Sequence, residues 1–425
     1  MKRGCVIGYD INEKGCQISY YDDSMEEPDT MMASSNNYLI PLVLGYFKDR
    51  WVFGKEAKRL AVVGEDCTET DLYGKAKRRE KVSLAGKTYD AVWLLAKYIS
   101  LTLQDFENIQ YLTFTTPETD VDMAKMLKGI GQHIGVDKEI INVQDYKESF
   151  CQYMIFQPKE LWQYESALFY CDEDRIKAYM LRRLRVDASH GMNSFVTVDE
   201  VANAQRKELE ALYPIMNKEK SPDESFKSMI ENVFEKKVIS SVYLTGEGFE
   251  KNWYPNSLRV LCNGRRAFMG NNLYSKGACY KSIRKCEPND DGPIYLDETK
   301  LTERICLRMR VDGQEMWYPL VSWGAHWYES NNQWEVILEE GDDIEFHIES
   351  LVQGTVKTEK ISLERLPKRA EYSTRLQIET MFQDEKTCKI TVRDVGFGDF
   401  FLPTDFREEK VIHLGGNDGK FNSLS

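Results

Sequence analysis

The side chains best suited to metal binding and nucleophilic catalysis are scattered along this sequence. The chain has ten cysteines and five histidines, yet it contains no Cys-x-x-Cys pair and no histidine at metal-ligand spacing from a cysteine. Zinc sites are built from such spacings, and no Gly-x-Ser-x-Gly, P-loop or Gly-x-Gly-x-x-Gly signature is present. The pattern argues against a zinc site and a histidine-based catalytic centre. It predicts buried free thiols in a reducing compartment.

Two acidic turns are the remaining candidates for chemistry. Asp10 ends an apolar stretch that begins at Val6, and the run Asp172-Glu173-Asp174 separates two further apolar stretches. Acidic residues are common where strands end, so both turns are also explained as ordinary solvated turns. Which explanation holds depends on the elements that position these carboxylates.

The first 285 residues alternate between strand and helix patterns. Hairpins are predicted at 4–22, 38–53 and 166–183, and single strands at 110–115, 140–143 and 238–245. Apolar residues at helical spacing predict helices at 90–106, 120–135, 146–156, 198–213 and 222–234. This alternation predicts an α/β domain over residues 1–285, although no repeat of fixed length is visible.

The pattern changes after residue 286. Residues 287–295, rich in turn formers, are predicted to be a linker. Between 296 and 412 apolar and polar residues alternate, and Asp312-Gly313 is a strong hairpin signal. These features predict an antiparallel β-sandwich followed by a flexible tail over 415–425. The aromatic residues between Trp317 and Trp334 fit core packing or a loop that grips a peptide.

The order of these elements resembles the actin, sugar-kinase and heat-shock-chaperone superfamily, and the seventy-kilodalton heat-shock chaperones in particular. The stretches that carry the resemblance are 6–10, 38–59, 111–117, 140–143, 242–248 and 277–278. The resemblance implies a two-lobed actin-like ATPase fold followed by a β-sandwich, in a divergent bacterial branch. It also implies that ATP or ADP with Mg²⁺ would bind between two hairpin turns.

On that resemblance, the first hairpin turn would hold the phosphates and the metal. A triphosphate needs backbone N–H groups close to its oxygens, which favours glycine, and a carboxylate that holds Mg²⁺. Asp10 would bind the metal, and Asn12, Lys14 and Gly15 would lie at the cofactor. The family places glycine and a hydroxyl residue directly after the aspartate, whereas here the glycine is late and Glu13 would repel a phosphate.

The second turn departs further from the family. The resemblance places Asp172 at the metal, and Gly246 and Gly248 at the adenosine. However, no glycine follows Asp172, and Glu173 and Asp174 add negative charge. Each like charge about 4 Å from a phosphate oxygen costs about 1 kcal/mol in water and up to about 4 kcal/mol at an effective dielectric constant of 20. Two glycines after a strand also occur in ordinary turns, so they are equally explained without a nucleotide.

A third stretch lies where the superfamily positions the attacking water. It contains Gln144, Asp145 and Glu148. Because it opens a predicted helix, capping and the helix dipole explain the two acids equally well. We therefore expect no catalytic residue there.

The charge balance limits the partner. The 56 basic and 69 acidic side chains give a formal net charge of −13. A nucleic-acid backbone or an anionic membrane requires a basic surface, and no apolar run reaches the roughly 18 residues of a membrane-spanning helix. Asp10 also interrupts the apolar stretch that a secretion signal would need. The sequence predicts a cytoplasmic protein with a protein or peptide partner, and no nucleic acid or membrane.

Two functions are compatible with these features. The first is a chaperone-like interaction or regulatory protein on a degenerate ATPase scaffold, with weak or absent binding of ATP or ADP. The alternative is an active but slow Mg-ATP-dependent chaperone-like ATPase. The missing glycines and the acidic second turn favour the first function, whereas Asp10, Gly246 and Gly248 favour the second.

Overall fold

The computed structural model describes residues 4–34, 37–63, 67–188, 191–205, 221–286 and 292–415. The chain divides into two compact units, Met1–Arg182 with Val198–Asp291, and Arg183–Thr197 with Gly292–Ser425. The first unit is α/β and contains mixed sheets, and the second is dominated by antiparallel strands. None of the helices in the described residues is long and apolar enough to span a bilayer.

In the described residues up to 155, the first unit contains eleven strands and five α-helices. The strands are β1 (Cys5–Ile11), β2 (Gly15–Tyr21), β3 (Asp29–Thr30), β4 (Ile40–Pro41), β5 (Leu44–Phe47), β6 (Arg50–Phe53), β7 (Thr68–Glu69), β8 (Lys81–Leu84), β9 (Lys87–Asp90), β10 (Ile109–Thr116) and β11 (Ile141–Asp145). The helices are α1 (Gly54–Val63), α2 (Leu72–Lys77), α3 (Ala91–Thr102), α4 (Val121–His133) and α5 (Tyr146–Ile155). The predicted hairpins and helices of this part are confirmed, with Asp90, Asp120 and Asp145 as N-caps.

The first sheet has the strand order β11-β10-β1-β2-β3, and β4 also pairs with β2. Strands β1, β10 and β11 run parallel, whereas β2 is antiparallel to β1. A parallel connection needs a crossover, which the helices between β2 and β11 supply. The ends of β1, β10 and β11 therefore lie along one edge, where Asp10 is placed.

The chain from residue 165 to residue 286 repeats this strand order in a second sheet, although residues 183–197 of that sheet belong to the second unit. Its strands are β12 (Glu165–Cys171), β13 (Arg175–Ala188), β14 (Gly191–Gln205), β15 (Ile239–Thr245) and β16 (Arg266–Met269), and its helices are α6 (Pro222–Phe234), α7 (Pro255–Leu261) and α8 (Leu273–Cys286). These five strands are ordered β16-β15-β12-β13-β14, with β12 antiparallel to β13 and parallel to β15, and Ile294–Tyr295 adds a sixth strand beside β14. Thus two sheets of the same order arise from a sequence without a visible repeat.

The prediction of a helix over 198–213 is wrong for its first half. Residues 198–205 belong to strand β14, and residues 206–213 lie outside the described part of the chain. Val201, Ala202 and Ala204 have spacings that also fit a helix, but they pack against the core cluster beside the second sheet. Pairing with β13 overrides the local pattern, because sheet context decides short apolar segments.

Helix α8 packs closely against both the first sheet and α5. A Cβ atom on Gly8 of β1 would lie 2.2 Å from the backbone of Ser275 and Cys279. A Cβ atom on Gly277 would lie 2.0 Å from the carbonyl oxygen of Ser149 in α5. Only glycine permits backbones to approach this closely. These two glycines fix the position of α8.

The second unit contains the predicted antiparallel strands. They are β18 (Glu303–Val311), β19 (Gln314–Val321), β20 (Asn332–Leu338), β21 (Asp343–Ser350), β22 (Val356–Ser362), β23 (Thr374–Asp384), β24 (Thr387–Asp394) and β25 (Arg407–His413), whereas the short strand β17 (Ile294–Tyr295) pairs in parallel with β14. Two four-stranded sheets, β19-β18-β21-β22 and β20-β23-β24-β25, share one apolar core. Asp312 and Gly313 both have positive φ, as the predicted tight hairpin turn requires.

The linker and tail predictions fall partly outside the described residues. Residues 287–291 and 416–425 are not described. At the end of the predicted linker, Ile294 and Tyr295 pair with Phe195 and Val196 of β14, within the second unit. Regular structure in this part of the chain thus begins before residue 296.

We predict that Gly277→Ala destabilises the protein by about 1–3 kcal/mol, because the added methyl group overlaps the backbone of α5. Gly129 of α4 is a matched control, since a Cβ atom there meets nothing within 4 Å. Gly129→Ala should stabilise the protein by up to about 1 kcal/mol through helix propensity. Chemical denaturation measures both changes, and equal effects of the two substitutions would contradict the close crossing.

Candidate functional site

The predicted site residues come together at three neighbouring turns, which we call the turn site. It comprises residues 10–15 between β1 and β2, residues 171–175 between β12 and β13, residues 246–248 after β15, and Tyr146 at the start of α5. All of them belong to the first unit. The sequence prediction thus identified residues that the fold places near one another.

Asp10 is buried and already hydrogen-bonded. Its side chain is only 3% exposed, and Oδ1 accepts a hydrogen bond from the Tyr146 hydroxyl at 2.8 Å. That hydroxyl in turn accepts one from Nδ2 of Asn12 at 2.9 Å. One oxygen atom of the Asp10 carboxylate is therefore already hydrogen-bonded to a side chain of the protein itself.

The first turn satisfies its own backbone. Oδ1 of Asn12 accepts hydrogen bonds from the N–H groups of Lys14 at 2.9 Å and Gly15 at 3.3 Å. These N–H groups are the ones that a phosphate would need. Gly15 is required for packing, because a Cβ atom there would lie 2.4 Å from the carbonyl oxygen of Ile40. Packing against Ile40 therefore explains why glycine occurs at this position, without any ligand.

Tyr146 is held in place by Tyr274 of α8. Their rings are stacked, with centroids 3.7 Å apart and planes within 5° of parallel. The hydroxyl oxygen of Tyr274 is buried and has no hydrogen-bond partner among the residues that the structure describes. The sequence analysis did not single out this pair, and neither tyrosine is marked by a motif. Only the placement of α8 brings the two rings together.

The second turn is closed in the same way as the first. Oδ1 of Asp172 accepts hydrogen bonds from the N–H groups of Asp174 at 2.8 Å and Arg175 at 2.7 Å. The side chains of Glu173 and Asp174 are exposed to solvent. This is the geometry of an Asx turn, which needs no metal. The carboxylate of Asp172 therefore stabilises the turn. Metal binding by Asp172 stays a prediction.

The glycine loop lies against the second turn. Gly246 has φ of +99°, and a Cβ atom on it would lie 2.2 Å from the carbonyl oxygen of Cys171. At Gly248 a Cβ atom would lie 2.3 Å from Sγ of Cys171. Close approach between two parts of the chain thus explains both glycines. Binding of adenosine by this loop stays a prediction.

Lys14 joins the first turn to the glycine loop. Its ammonium group forms an ion pair with Glu247, and both side chains are nearly half exposed. Partial burial lowers the pKa of Lys14, but the Glu247 carboxylate, with Glu173 and Asp172 behind it, outweighs burial and raises the pKa. The lysine predicted to contact phosphate therefore already balances three carboxylates.

The stretch after β11 has structural partners as well. Oδ1 of Asp145 accepts from the N–H of Glu148 at the start of α5, which confirms the capping interpretation. The buried carboxylate of Glu148 pairs with Lys281 of α8 at 2.9 Å, and Nε2 of Gln144 donates to the Ser149 hydroxyl at 2.7 Å. These contacts connect α5 to its neighbours, whereas Oε1 of Gln144 is buried without a hydrogen-bond partner among the described residues.

The chemical capacity of the turn site is therefore restricted. Among the residues that the structure describes, no group of three or more His, Cys, Asp and Glu side chains could hold a metal ion. Asp10 could contact Mg²⁺ through its second oxygen or by displacing the Tyr146 hydroxyl. A phosphate would have to displace the Asn12 side chain or the Lys14–Glu247 ion pair.

Comparison with known proteins places the chain in a family. Residues 27–298 match a family described as family of unknown function (DUF5716) C-terminal. Because this match covers well over half of the 425 residues, the chain belongs to that family. Residues 300–414 match a domain described as domain of unknown function (DUF8552). No curated protein matches the chain.

The buried carboxylate makes stability depend on pH. Burial raises the pKa of Asp10 from 3.8 to about 7, and the Tyr146 hydrogen bond only partly opposes this. Between these values the folded state binds a proton that the unfolded state releases, so the free energy of unfolding falls as pH rises. A pKa difference of this size corresponds to at most about 4 kcal/mol.

We predict that Asp10→Asn, which mimics the protonated acid, is more stable than the parent protein at pH 8 and equally stable near pH 4. Urea denaturation across this range measures the difference. Asp23 is exposed, and Asp23→Asn serves as the control with no pH-dependent gain. A variant at position 10 that is less stable than the parent at pH 8 would contradict the buried, uncompensated carboxylate.

Proposed function

We propose that the first unit is a two-lobed actin-like scaffold whose nucleotide site is occupied by the protein's own side chains. On this proposal the chain is a chaperone-like interaction or regulatory protein rather than an ATPase. Two sheets with the same strand order support the two-lobed scaffold. The close crossing of α5 and α8 at Gly277, a position in the resemblance, supports it further.

One contact carries the functional part of the proposal. The Tyr146 hydroxyl donates to Asp10, the carboxylate that the resemblance assigns to Mg²⁺. Stacking on Tyr274 holds the ring, and both tyrosines are buried. Displacing Tyr146 would break a buried hydrogen bond to a carboxylate, at a cost of about 1.5–3 kcal/mol. Mg-ATP would have to recover this cost from the rest of the site.

The remainder of the site offers little to recover it. Phosphoryl transfer depends on donors and metal placed around the γ-phosphate. Here Asn12 binds the N–H groups of the first turn, and Asp172 binds those of the second. The exposed Glu173 and Asp174 add negative charge beside the second turn. We therefore propose that binding of ATP or ADP is weak and that hydrolysis is negligible.

A specific observation favours the alternative of a slow Mg-ATP-dependent ATPase. The Lys14 side chain is 46% exposed, and its ion pair with Glu247 is a surface pair of small energy. Lys14 could therefore leave Glu247 for a phosphate at little cost. If Tyr146 also moved away, Asp10 would be free to hold Mg²⁺.

The partner that we propose is a protein or peptide bound to the second unit. The aromatic residues of its 317–334 stretch are engaged internally: Trp317 stacks on His347, and Arg304 lies over Trp323. Trp327 and Trp334 pack against the sandwich core. These contacts favour core packing over a gripping loop. We also propose a cytoplasmic location, because all ten cysteines are free thiols.

We predict that the purified protein hydrolyses ATP no faster than its Asp10→Ala variant and gives no Mg-ATP-dependent thermal shift. Colorimetric phosphate release and differential scanning fluorimetry measure these two quantities. The combined variant Tyr146→Phe, Glu173→Gly and Asp174→Gly removes the hydroxyl and two acidic side chains, so it should gain a Mg-ATP-dependent shift. Robust turnover by the parent protein that is lost on Asp10→Ala would instead establish the ATPase alternative.

A further inference from the structure

The β-sandwich has two sides at which an edge strand of one sheet lies beside an edge strand of the other, and these sides differ in their contacts. On one side β22 and β25 are joined across the two sheets by Glu359–Lys410 at 2.7 Å and by Arg365–Glu408, just after β22, at 2.9 Å. The core residues on this side are almost completely buried, as for Ile412 at 1%. Strands β22 and β25 therefore close this side of the sandwich.

The opposite side, between β19 and β20, is open. No hydrogen bond or ion pair among the described residues joins β19 to β20; the one ion pair near this side, Arg310–Glu339 at 3.2 Å, joins β18 to the residue after β20 and leaves the length of β20 uncovered. The core-facing side chains of β20 and Tyr318 of β19 are only half-buried, although β19 ends in the buried residues Leu320 and Val321. Met316, which pairs with Met309 across β18 and β19, is 44% exposed. We call this surface the open edge; the side chains that line it are Met309, Met316, Tyr318, Trp334, Val336 and Leu338.

The strands on the two sides of the open edge differ in their capacity to accept another strand. Strand β19 contains Pro319, which has no N–H group, and its pairing with β18 is interrupted by a register shift. Strand β20 contains no proline, and its seven residues pair with β23 in continuous register. Proteins commonly protect exposed edges with proline, lysine or bulges. Strand β20 has none of these protections.

The charge near the end of β20 indicates which partner would fit. Arg310 pairs with Glu339, and Lys360 pairs with Asp343. The exposed carboxylates of Glu340 and Asp342 form no ion pair within the described part of the chain. A strand that adds to β20 would therefore gain from a basic residue placed beyond Leu338.

We propose that the open edge binds an extended segment of a partner protein, which pairs with the free side of β20. Alternate apolar side chains of that segment would cover Met316, Tyr318 and Trp334, and a lysine or arginine at its end would meet Glu340 and Asp342. Main-chain hydrogen bonds supply affinity in this mode of recognition, and alternate side chains supply specificity. The inference deepens the proposed function, because it names the kind of partner and where it binds.

The test uses the full chain without nucleotide and a synthetic peptide with two lysines followed by alternating valine and threonine. We expect the peptide to bind, and hydrogen exchange to slow at the amides of β20 but not at those of β19. Two further peptides carry N-methyl groups on alternate amides. In one peptide the methylated amides are those on the edge that faces β20, and in the other they are those on the opposite edge. Only the set that faces β20 should abolish binding, and this control leaves the protein unaltered.

Matched methionine variants test the position of the site. Met316→Asp should weaken binding by roughly tenfold or more, the scale of a lost apolar contact and an added like charge at an acidic edge. Met381 is 43% exposed and lies on the face of β23 opposite to its buried neighbours Thr380 and Phe382, which face the core, so Met381→Asp should leave binding unchanged. The thermal midpoint of each variant shows whether it remains folded.

Three results would overturn the proposal. They are absence of peptide binding, equal effects of the two N-methylated peptides, and concentration-dependent dimerisation that protects β20 in the absence of peptide. The last result would assign the open edge to a second copy of the chain. Because the binding experiments contain no nucleotide, any of these results would leave the proposal for the turn site unaffected. Conversely, the detection of ATP hydrolysis would not change the assignment of the open edge.

Discussion

The closed turn site depends on how near α8 approaches its neighbours. Gly8 and Gly277 allow the helix backbone to contact β1 and α5 at distances that any side chain would prevent. This approach places Tyr274 over Tyr146, and the stacked ring directs the Tyr146 hydroxyl onto Asp10. The close packing that these two glycines allow therefore determines the surroundings of Asp10, one of the two carboxylates that the resemblance assigns to a metal.

The charges around Asp10 and Lys14 also disfavour the binding of Mg²⁺ and phosphate. Asp10 is buried without a basic partner, so its neutral form is favoured. Lys14, the basic residue of the first turn, is directed instead at Glu247 and lies in the field of Glu173 and Asp172. A site for a triphosphate requires the opposite arrangement, with cations facing an open cavity. Lys14 instead pairs with Glu247 on the protein itself.

Much of the fold could be predicted from the sequence because its signals are local. Asp90, Asp120 and Asp145 mark helix starts, and Asp312-Gly313 marks a hairpin. The helix predicted over 198–213 was wrong at 198–205, because pairing in the sheet outweighs an ambiguous apolar spacing. The repeated strand order left no repeat in the sequence, since topology is set by contacts between distant residues, and only the family resemblance implied two lobes.

The site was predictable only in part. The sequence located the turns that contain Asp10, Asn12, Lys14 and the two glycines after β15. It did not predict which atoms these residues contact. Tyr146 and Tyr274 are far apart in the sequence and carry no motif, so their stacking follows only from the crossing of α5 and α8. Free edges such as that of β20 are likewise invisible until the sheet order is known.

The central claim is that Asp10 is bound by Tyr146 and not by a metal. The most direct measurement is a pH titration of the Asp10 carboxyl carbon by nuclear magnetic resonance, with and without millimolar Mg-ATP. We predict a pKa near 7 that Mg-ATP leaves unchanged. A pKa that falls toward the ordinary value for aspartate when Mg-ATP is added would show that the metal reaches the carboxylate, and would contradict the account.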